Sequence, residues 1–228
     1  MSAEVYDFHT HTYLSDGELS PIELIRRAIV RGYRVIGLAD HAGPGTMEVV
    51  VPQLVDACAY CSQHWDILAI PGVELTHLPP GEIDRCAREA RRLGARLIVV
   101  HGETPVEPVP PGTNAAAVAS DAVDVVAHPG LLLLEEAGEA CRRGIFLEIS
   151  PRRGHSLANG HVARLSEATG ARGIVNSDGH SPADLLTAEL ARHVARCSGL
   201  GEEMVRRVVK DHPRALLARI DGRSGRRA

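Results

Sequence analysis

The 228-residue chain is poor in aromatic side chains, with two Phe, four Tyr and one Trp. So small a set cannot furnish the stacking platform that a long single-stranded nucleic acid needs. Positive charge is not in surplus either, because 25 Lys and Arg stand against 29 Asp and Glu, for a net charge of −4. That balance removes a global field for gathering polyanions, although bound divalent ions would reverse the sign locally. No apolar run is long enough to span a bilayer, and the opening MSAEVYDFHTH lacks the basic-then-apolar order of a secretory signal. A cytoplasmic protein without a membrane segment is expected. Cysteine is sparse and odd in number: Cys58, Cys61, Cys86, Cys141 and Cys197 have no disulfide-framework spacing. Cys58 and Cys61 do form a CxxC, but VPQLVDACAYCSQHW reads as a helix interior, so buried thiols are expected there. Neither a G-x-S-x-G elbow nor a GxxxxGK[ST] loop is found, which removes two common nucleophile and phosphate-binding devices.

What is present is a repeated phrase: a short β-branched apolar run, a polar loop, then an amphipathic helical stretch. The runs are EVYDFHTH, YRVIGLADH, ILAIPGVE, ARLIVVHGE, VDVVAHPG, GIFLEIS and RGIVNSDGH, seven in all. Strands apolar on both faces and alternating with helices imply a parallel sheet covered by helices, and seven such units suit a closed barrel. We expect one α/β domain over residues 1–220, a (β/α)7 barrel, with a mobile basic tail at 221–228. Ser20, Pro21 and Glu23 form a helix start, and SPAD from Ser181 to Asp184 reads as a second one.

Metal-ligand side chains stand at nearly every strand end. They are His9 and His11 after run one, Asp40 and His41 after two, Glu74 after three, His101 after four, His128 after five, and Asp178 and His180 after seven, with Glu148 inside run six. Six of the twelve histidines occupy such ends. Any one of them alone would read as a hydrogen-bonded loop residue. Loops at the carboxyl ends of parallel barrel strands converge on one face, so together these residues predict a polynuclear metal site. His64, His193 and His212 lie in helical stretches and are expected to be structural or exposed.

With HTHxxxSDG, DH, GVE, VHG, AHPG and SDGH in this order, the chain resembles the polymerase and histidinol phosphatase (PHP) family, over roughly Tyr6 to Ser181. GVELTHLPP and RRGHSLANGH are similar to the small histidinol-phosphatase-like members. The resemblance implies a distorted (β/α)7 barrel of the TIM-like PHP type, binding two or three divalent ions and hydrolysing phosphate esters. Carried over by position, it implies that His9, His11, Glu74 and Asp178 bind a first ion, that Glu74 bridges to a second held by His101 and His128, and that Asp16, His41 and His180 hold a third. Some members carry histidine in the region of Asp16, so a carboxylate here makes a harder and weaker third site. Imidazole and carboxylate suit zinc, manganese or iron(II) alike.

The expected substrate is a small phosphorylated metabolite of the histidinol phosphate kind, attacked by a metal-activated hydroxide. His180 or His41 could protonate the leaving group, and Asp40 could accept a ligand's remaining N–H. Selectivity is expected from the loops HGETPVEPVPPGTN and SPRRGHSLANGH, with Arg152, Arg153, His155 and His77 as candidate substrate residues. Two other readings stay open: a phosphodiesterase or exonuclease on short oligonucleotides, and a non-catalytic scaffold resembling the PHP-like barrel protein of archaeal ribonuclease P. Partners in the form of membranes or long nucleic acids are not expected. No seam for an oligomer is legible.

Overall fold

A computed structural model describes residues 4–224. Seven parallel strands form the wall: β1 (Val5–Thr10), β2 (Tyr33–Leu38), β4 (Leu68–Leu75), β5 (Leu97–His101), β6 (Val125–Ala127), β7 (Phe146–Ile149) and β8 (Arg172–Val175), in the spatial order β1-β2-β4-β5-β6-β7-β8. The remaining strand, β3 (His41–Ala42), pairs with β4 and places His41 opposite Glu74. The sequence run YRVIGLADH is thus two strands rather than one, broken at Ala39 and Asp40.

Closure between β1 and β8 relies heavily on side chains. Among the described residues, a single isolated backbone bridge, Thr10 to Gly179, joins this seam. Elsewhere along the seam, Asn176 Oδ1 accepts from Phe8 N at 2.9 Å and Asp7 Oδ1 accepts from Ser177 N at 3.1 Å. Asp7 is fully buried, and its other oxygen accepts from the Tyr33 hydroxyl, which in turn accepts from Leu186 N. The strand register slips between Asp7 and Thr10, a bulge of the kind that re-aims side chains beside active sites.

The barrel interior is a packed core, not a channel. Phe8, Val35, Ile70, Leu97, Val99, Val125, Phe146 and Ile174 fill it, so both phenylalanines of the chain lie inside. Leu216 and Ile220 of the last helix, α9 (His212–Ser224), plug the end away from the ligand-bearing loops. From the same helix Arg219 and Arg223 reach the fully buried Asp124, which also pairs with Arg91. The helical layer packs outside the sheet through a second, larger core. It comprises α1 (Pro21–Val30), α2 (Met47–His64), α3 (Ile83–Leu93), α4 (Thr113–Ala119), α5 (Leu134–Arg143), α6 (Asn159–Thr169), α7 (Ala188–Cys197) and α8 (Glu202–Arg206). No helix among the described residues is long and apolar enough to cross a membrane.

Two local expectations change. Ser20 caps α1 as predicted, accepting from Glu23 N at 3.2 Å. SPAD, however, starts no helix: Asp184 Oδ2 accepts from His180 N, Ser181 N and the Ser181 hydroxyl, making a tight polar turn, and α7 begins only after its own cap, Thr187. The same chemistry that caps a helix closes a loop here. Residues 221–224, expected in the tail, belong to α9, which continues to Ser224; residues 225–228 of that expectation lie outside the described residues. The CxxC sits within α2 with both thiols buried, as predicted.

Replacing Asp7 with Ala should lower stability by about 3 kcal/mol, since it strands buried donors on three different segments. Urea unfolding measures this. A loss under about 1 kcal/mol would mean that the main chain alone holds the seam.

Candidate metal centre

The bulged end of β1 brings His9 and His11 together, with ring centroids 4.9 Å apart. Across the seam, Asp178 meets both: its Oδ1 lies 3.2 Å from His11 Nε2 and 3.8 Å from His9 Nε2. Glu74, near the end of β4, sits between groups. Its Oε1 is 3.5 Å from His9 Nε2 and 3.6 Å from His128 Nε2, while Oε2 is 3.8 Å from His11 Nε2. The four residues expected around a first ion are therefore one cluster, and Glu74 is placed to bridge from it.

Glycine makes two of these approaches possible. A side chain at Gly102 would meet Ala127 O at 2.3 Å, so only glycine lets the end of β5 lie against β6 and brings His101 beside His128, with ring centroids 4.5 Å apart. At Gly17 a Cβ would meet His11 O at 2.3 Å; glycine lets the loop after β1 fold back and deliver Asp16 to His11. Asp16 Oδ1 then lies 3.2 Å from His180 Nε2, 3.5 Å from His41 Nε2 and 3.8 Å from His11 Nδ1. Three non-glycine residues adopt positive φ, His77 at 53°, His128 at 27° and Asp178 at 52°. All three lie in or beside the cluster, as strained backbone tends to do at functional sites.

The donors fit a metal. Among the described residues, His9 Nε2, both ring nitrogens of His11, Glu74 Oε1 and His128 Nδ1 are buried without a hydrogen-bond partner, while Glu74 Oε2 lies 2.7 Å from His41 Nδ1. Buried polar atoms left unpaired in this number call for a ligand such as an ion. Among the described residues, five sets of ligand atoms each lie within 4.8 Å of one another: His9 and His11 with Asp178; His9 and Glu74 with His128; His11, Asp16 and His41 with His180; His101 and His128 with His155; and His77 and His101 with Glu107. Ring orientation agrees. His9 Nδ1 pairs with Glu148 Oε2 at 2.8 Å, His101 Nδ1 donates to Gly102 O at 3.2 Å and His180 Nδ1 donates to Asp178 O at 3.0 Å, which leaves Nε2 of each facing inward. Glu148 thus orients the His9 ring and is itself held by Asn176 Nδ2.

Electrostatics divides the cluster. Burial opposes charge on His9, yet Glu148, Glu74 and Asp178 outweigh it and raise the imidazole pKa. For His11 burial wins, aided by His9, His41 and His180, and the pKa falls well below the usual histidine value. Burial likewise holds His101 down to about 4. His41, despite burial, rises to about 10 beside Glu74 and Asp16, and burial lifts Asp178 to about 6.

Some expected roles shift. Asp40 contacts no imidazole nitrogen by hydrogen bond; it accepts from Thr12 N, the Thr12 hydroxyl and the Ser15 hydroxyl, at 2.6 to 2.8 Å. It is fully buried and pins the loop that carries Asp16, so it is a positioning residue. Arg152 Nε lies 3.5 Å from Asp178 Oδ2, and with Arg153, His155, Asp178 and Leu190 it lines a hollow of about 550 Å3 opening onto the cluster. His77 is on the exposed rim, 3.3 Å from Glu107. Glu107 was not singled out from the sequence, although its loop was; its Oε2 lies 3.0 Å from His101 Nε2. An acid within a strand-end loop was the only available signal. A larger hollow, about 980 Å3, lies at the far end among arginines of α3 and α9 and holds no ligating cluster. His64 and His212 bond backbone carbonyls through Nδ1, and His193 lies on α7, all outside the cluster.

No family model matches the sequence. The chain is 43% identical over 216 residues to the uncharacterised protein MJ1295 of Methanocaldococcus jannaschii, covering 94% of this chain and 99% of that one. It is 25% identical over 193 residues to the DNA polymerase/3'-5' exonuclease PolX of Bacillus subtilis, over 77% of this chain but only 34% of PolX. Among solved structures, HisK of Listeria monocytogenes, named as a histidinol phosphatase, superposes with a TM-score of 0.57 at 12% identity, covering 80% of this chain and 97% of HisK. A two-domain protein of Bacteroides vulgatus, named as containing a PHP-like metal-dependent phosphoesterase, gives 0.51 at 17% identity, over 80% and 56%. The chain is thus similar in sequence to PolX and in fold to a PHP-like phosphoesterase and to HisK. Its barrel is also similar to a chain of an archaeal ribonuclease P complex with mature tRNA, TM-score 0.68 at 12% identity over 94% and 91%, a likeness of fold.

Two outcomes follow from this geometry. Replacing Glu148 with Gln should weaken metal binding about 10- to 100-fold by loosening the His9 ring, measured by competition with a chromophoric chelator; unchanged affinity would remove Glu148 as orienting group. Loading at pH 7 should also release protons, because His41, raised to about 10, carries one before an ion arrives. Calorimetry in buffers of different ionisation heat reads this, and buffer-independent heats would contradict it.

Proposed function

We propose that the protein is a metal-dependent phosphomonoesterase acting on a small phosphorylated metabolite, of the histidinol phosphate kind. The observation that carries this reading is the position of the ligand cluster at the base of a hollow of about 550 Å3 whose wall presents Arg152 and Arg153. Bound divalent ions, whether zinc, manganese or iron(II), supply Lewis acidity and a water of lowered pKa. Three such ions against the carboxylates of Asp16, Glu74 and Asp178 would leave about +3, which draws a phosphate into a molecule of net negative charge.

The chain's own residues then bind and orient. Arg152 is one-third exposed and its guanidinium is held beside Asp178 by Nε and by a contact from a terminal nitrogen to Asp178 O, so its remaining N–H groups are available to a phosphoryl oxygen. Arg153 is exposed on the same wall and accounts for a second grip. His41 and His180 serve as ligands rather than as proton donors. His41 Nδ1 meets Thr76 Oγ1 at 2.7 Å and His180 Nδ1 meets Asp178 O, while both Nε2 atoms face Asp16. Neither ring keeps a nitrogen for a leaving group.

A phosphodiesterase acting on short oligonucleotides is the second reading, favoured by the relationship to PolX over 77% of this chain. Four tyrosines and one tryptophan, none of them lining the hollow, argue against a stacked strand. The scaffold reading draws on the ribonuclease P likeness alone, and a scaffold has no physical need for unpaired buried ligands.

Freshly purified protein should retain two or three equivalents of ion by elemental mass spectrometry and release phosphate from monoesters faster than it cleaves diesters. Arg152→Ala should raise KM for a monoester about tenfold, the scale of one lost charge-assisted hydrogen bond, with kcat changed less. Cleavage of diesters alone would promote the second reading; no turnover with any of the three metals would end both.

A further inference from the structure

His155 was expected to touch substrate, but its surroundings are those of a ligand. It is 5% exposed and starts a 3-10 turn, His155–Ala158, at the part of the hollow's wall that borders the cluster. Its ring stacks on that of His128 at 3.9 Å between centroids and stands edge-on to His101 at 5.9 Å. The ligand nitrogens of His101, His128 and His155 all lie within 4.8 Å of one another, as tightly grouped as the residues of the other two centres.

The ring is also oriented as the other cluster histidines are. Thr104, itself buried, places its hydroxyl oxygen 2.7 Å from His155 Nδ1, where it can accept the Nδ1 proton. That tautomer puts the Nε2 lone pair toward the cluster, 3.4 Å from Glu107 Oε1 and 3.7 Å from Asp178 Oδ2. His9, His101 and His180 have the same arrangement, with Nδ1 held by an outer partner and Nε2 turned inward. Although the residue borders the hollow, its Nε2 is within reach of two imidazoles and two carboxylates.

We propose that His155 is a protein ligand of the second ion, so that this ion is held by three imidazoles, His101, His128 and His155, with Glu74 as its carboxylate. The inference rests on the metal-dependent reading of the site and adds a donor to it. Three neutral nitrogens and one carboxylate make a donor set for a borderline ion such as zinc, cobalt(II) or iron(II), and against magnesium or calcium. The Asp16 centre is the contrasting case, because its carboxylate is about half exposed and leaves it harder and more open. The second ion should then be the tightly held one and the third the exchangeable one.

The test is cobalt(II) titration of the full-length protein, read by visible absorption and by elemental analysis after gel filtration. The parent should bind a tight equivalent that His155→Gln loses or holds at least about 100-fold more weakly, a larger cost than removing an outer partner. Thr104→Val, which keeps His155 but removes its Nδ1 acceptor, should weaken the same equivalent about 10- to 100-fold, and it serves if the first variant folds poorly. Arg153→Ala should leave the titration unchanged. Full cobalt content and unaltered spectra in both His155→Gln and Thr104→Val, with a raised KM for a phosphate ester in the former, would overturn the proposal and return His155 to the substrate. If cobalt binding depends on His155 while the parent turns over no phosphate ester, the ligand assignment stands and the phosphomonoesterase reading falls.

Discussion

The meeting of β1 with β8 governs everything at the loop end of this barrel. One strand carries His9 and His11, and the segment after the other carries Asp178 and His180; unless the wall closes, half of the ligands never meet. Closure leans on Asp7 and Asn176, whose side chains bond the facing backbone across the gap. The use of side chains is itself informative. A regular ladder would impose an even strand register there, whereas side-chain bonds tolerate the bulge that turns two neighbouring histidines into the cluster.

Around that seam the protein concentrates groups that repel or strand one another. His11 sits among three other imidazoles, and Glu74 and Asp178 are both buried within reach of the same histidines. Such an arrangement is costly without a cation and becomes favourable with one. An outer ring of partners limits the cost by fixing each donor in place: Glu148 on His9, Thr104 on His155, Gly102 O on His101, and the Asp184 turn under His180. These residues do no chemistry, but they decide which nitrogen each ring offers.

Much of this was legible because barrel strands carry a strong period and because strand ends converge by topology. The seven runs and the nine residues of the three expected centres were visible for that reason. What could not be read is what depends on where a loop turns in space. Asp40 stands next to His41 in sequence, yet it faces the loop after β1, since consecutive residues at a strand break point different ways. SPAD has the letters of a helix cap and makes a turn, because hydrogen bonding of Ser and Asp to nearby N–H groups serves both. Glu107 and Thr104 lie in a proline-rich loop without periodicity, so no pattern announced that they border the second centre. His155 was noticed for its residue type and given to the substrate, since only the packing of its ring on His128 reveals its neighbours.

The seam also bears on how the protein comes into being. Asp178 lies far along the chain from His9, and the far end of the barrel is plugged by α9, later still. Contacts between such distant segments form late and slowly in any folding process. During synthesis the first histidines therefore emerge long before the carboxylate that completes their set, and the nascent chain holds only isolated, weakly binding fragments of the centre. An ion that needs the whole set could therefore not be captured until the polypeptide has passed β8 and Asp178 has been made.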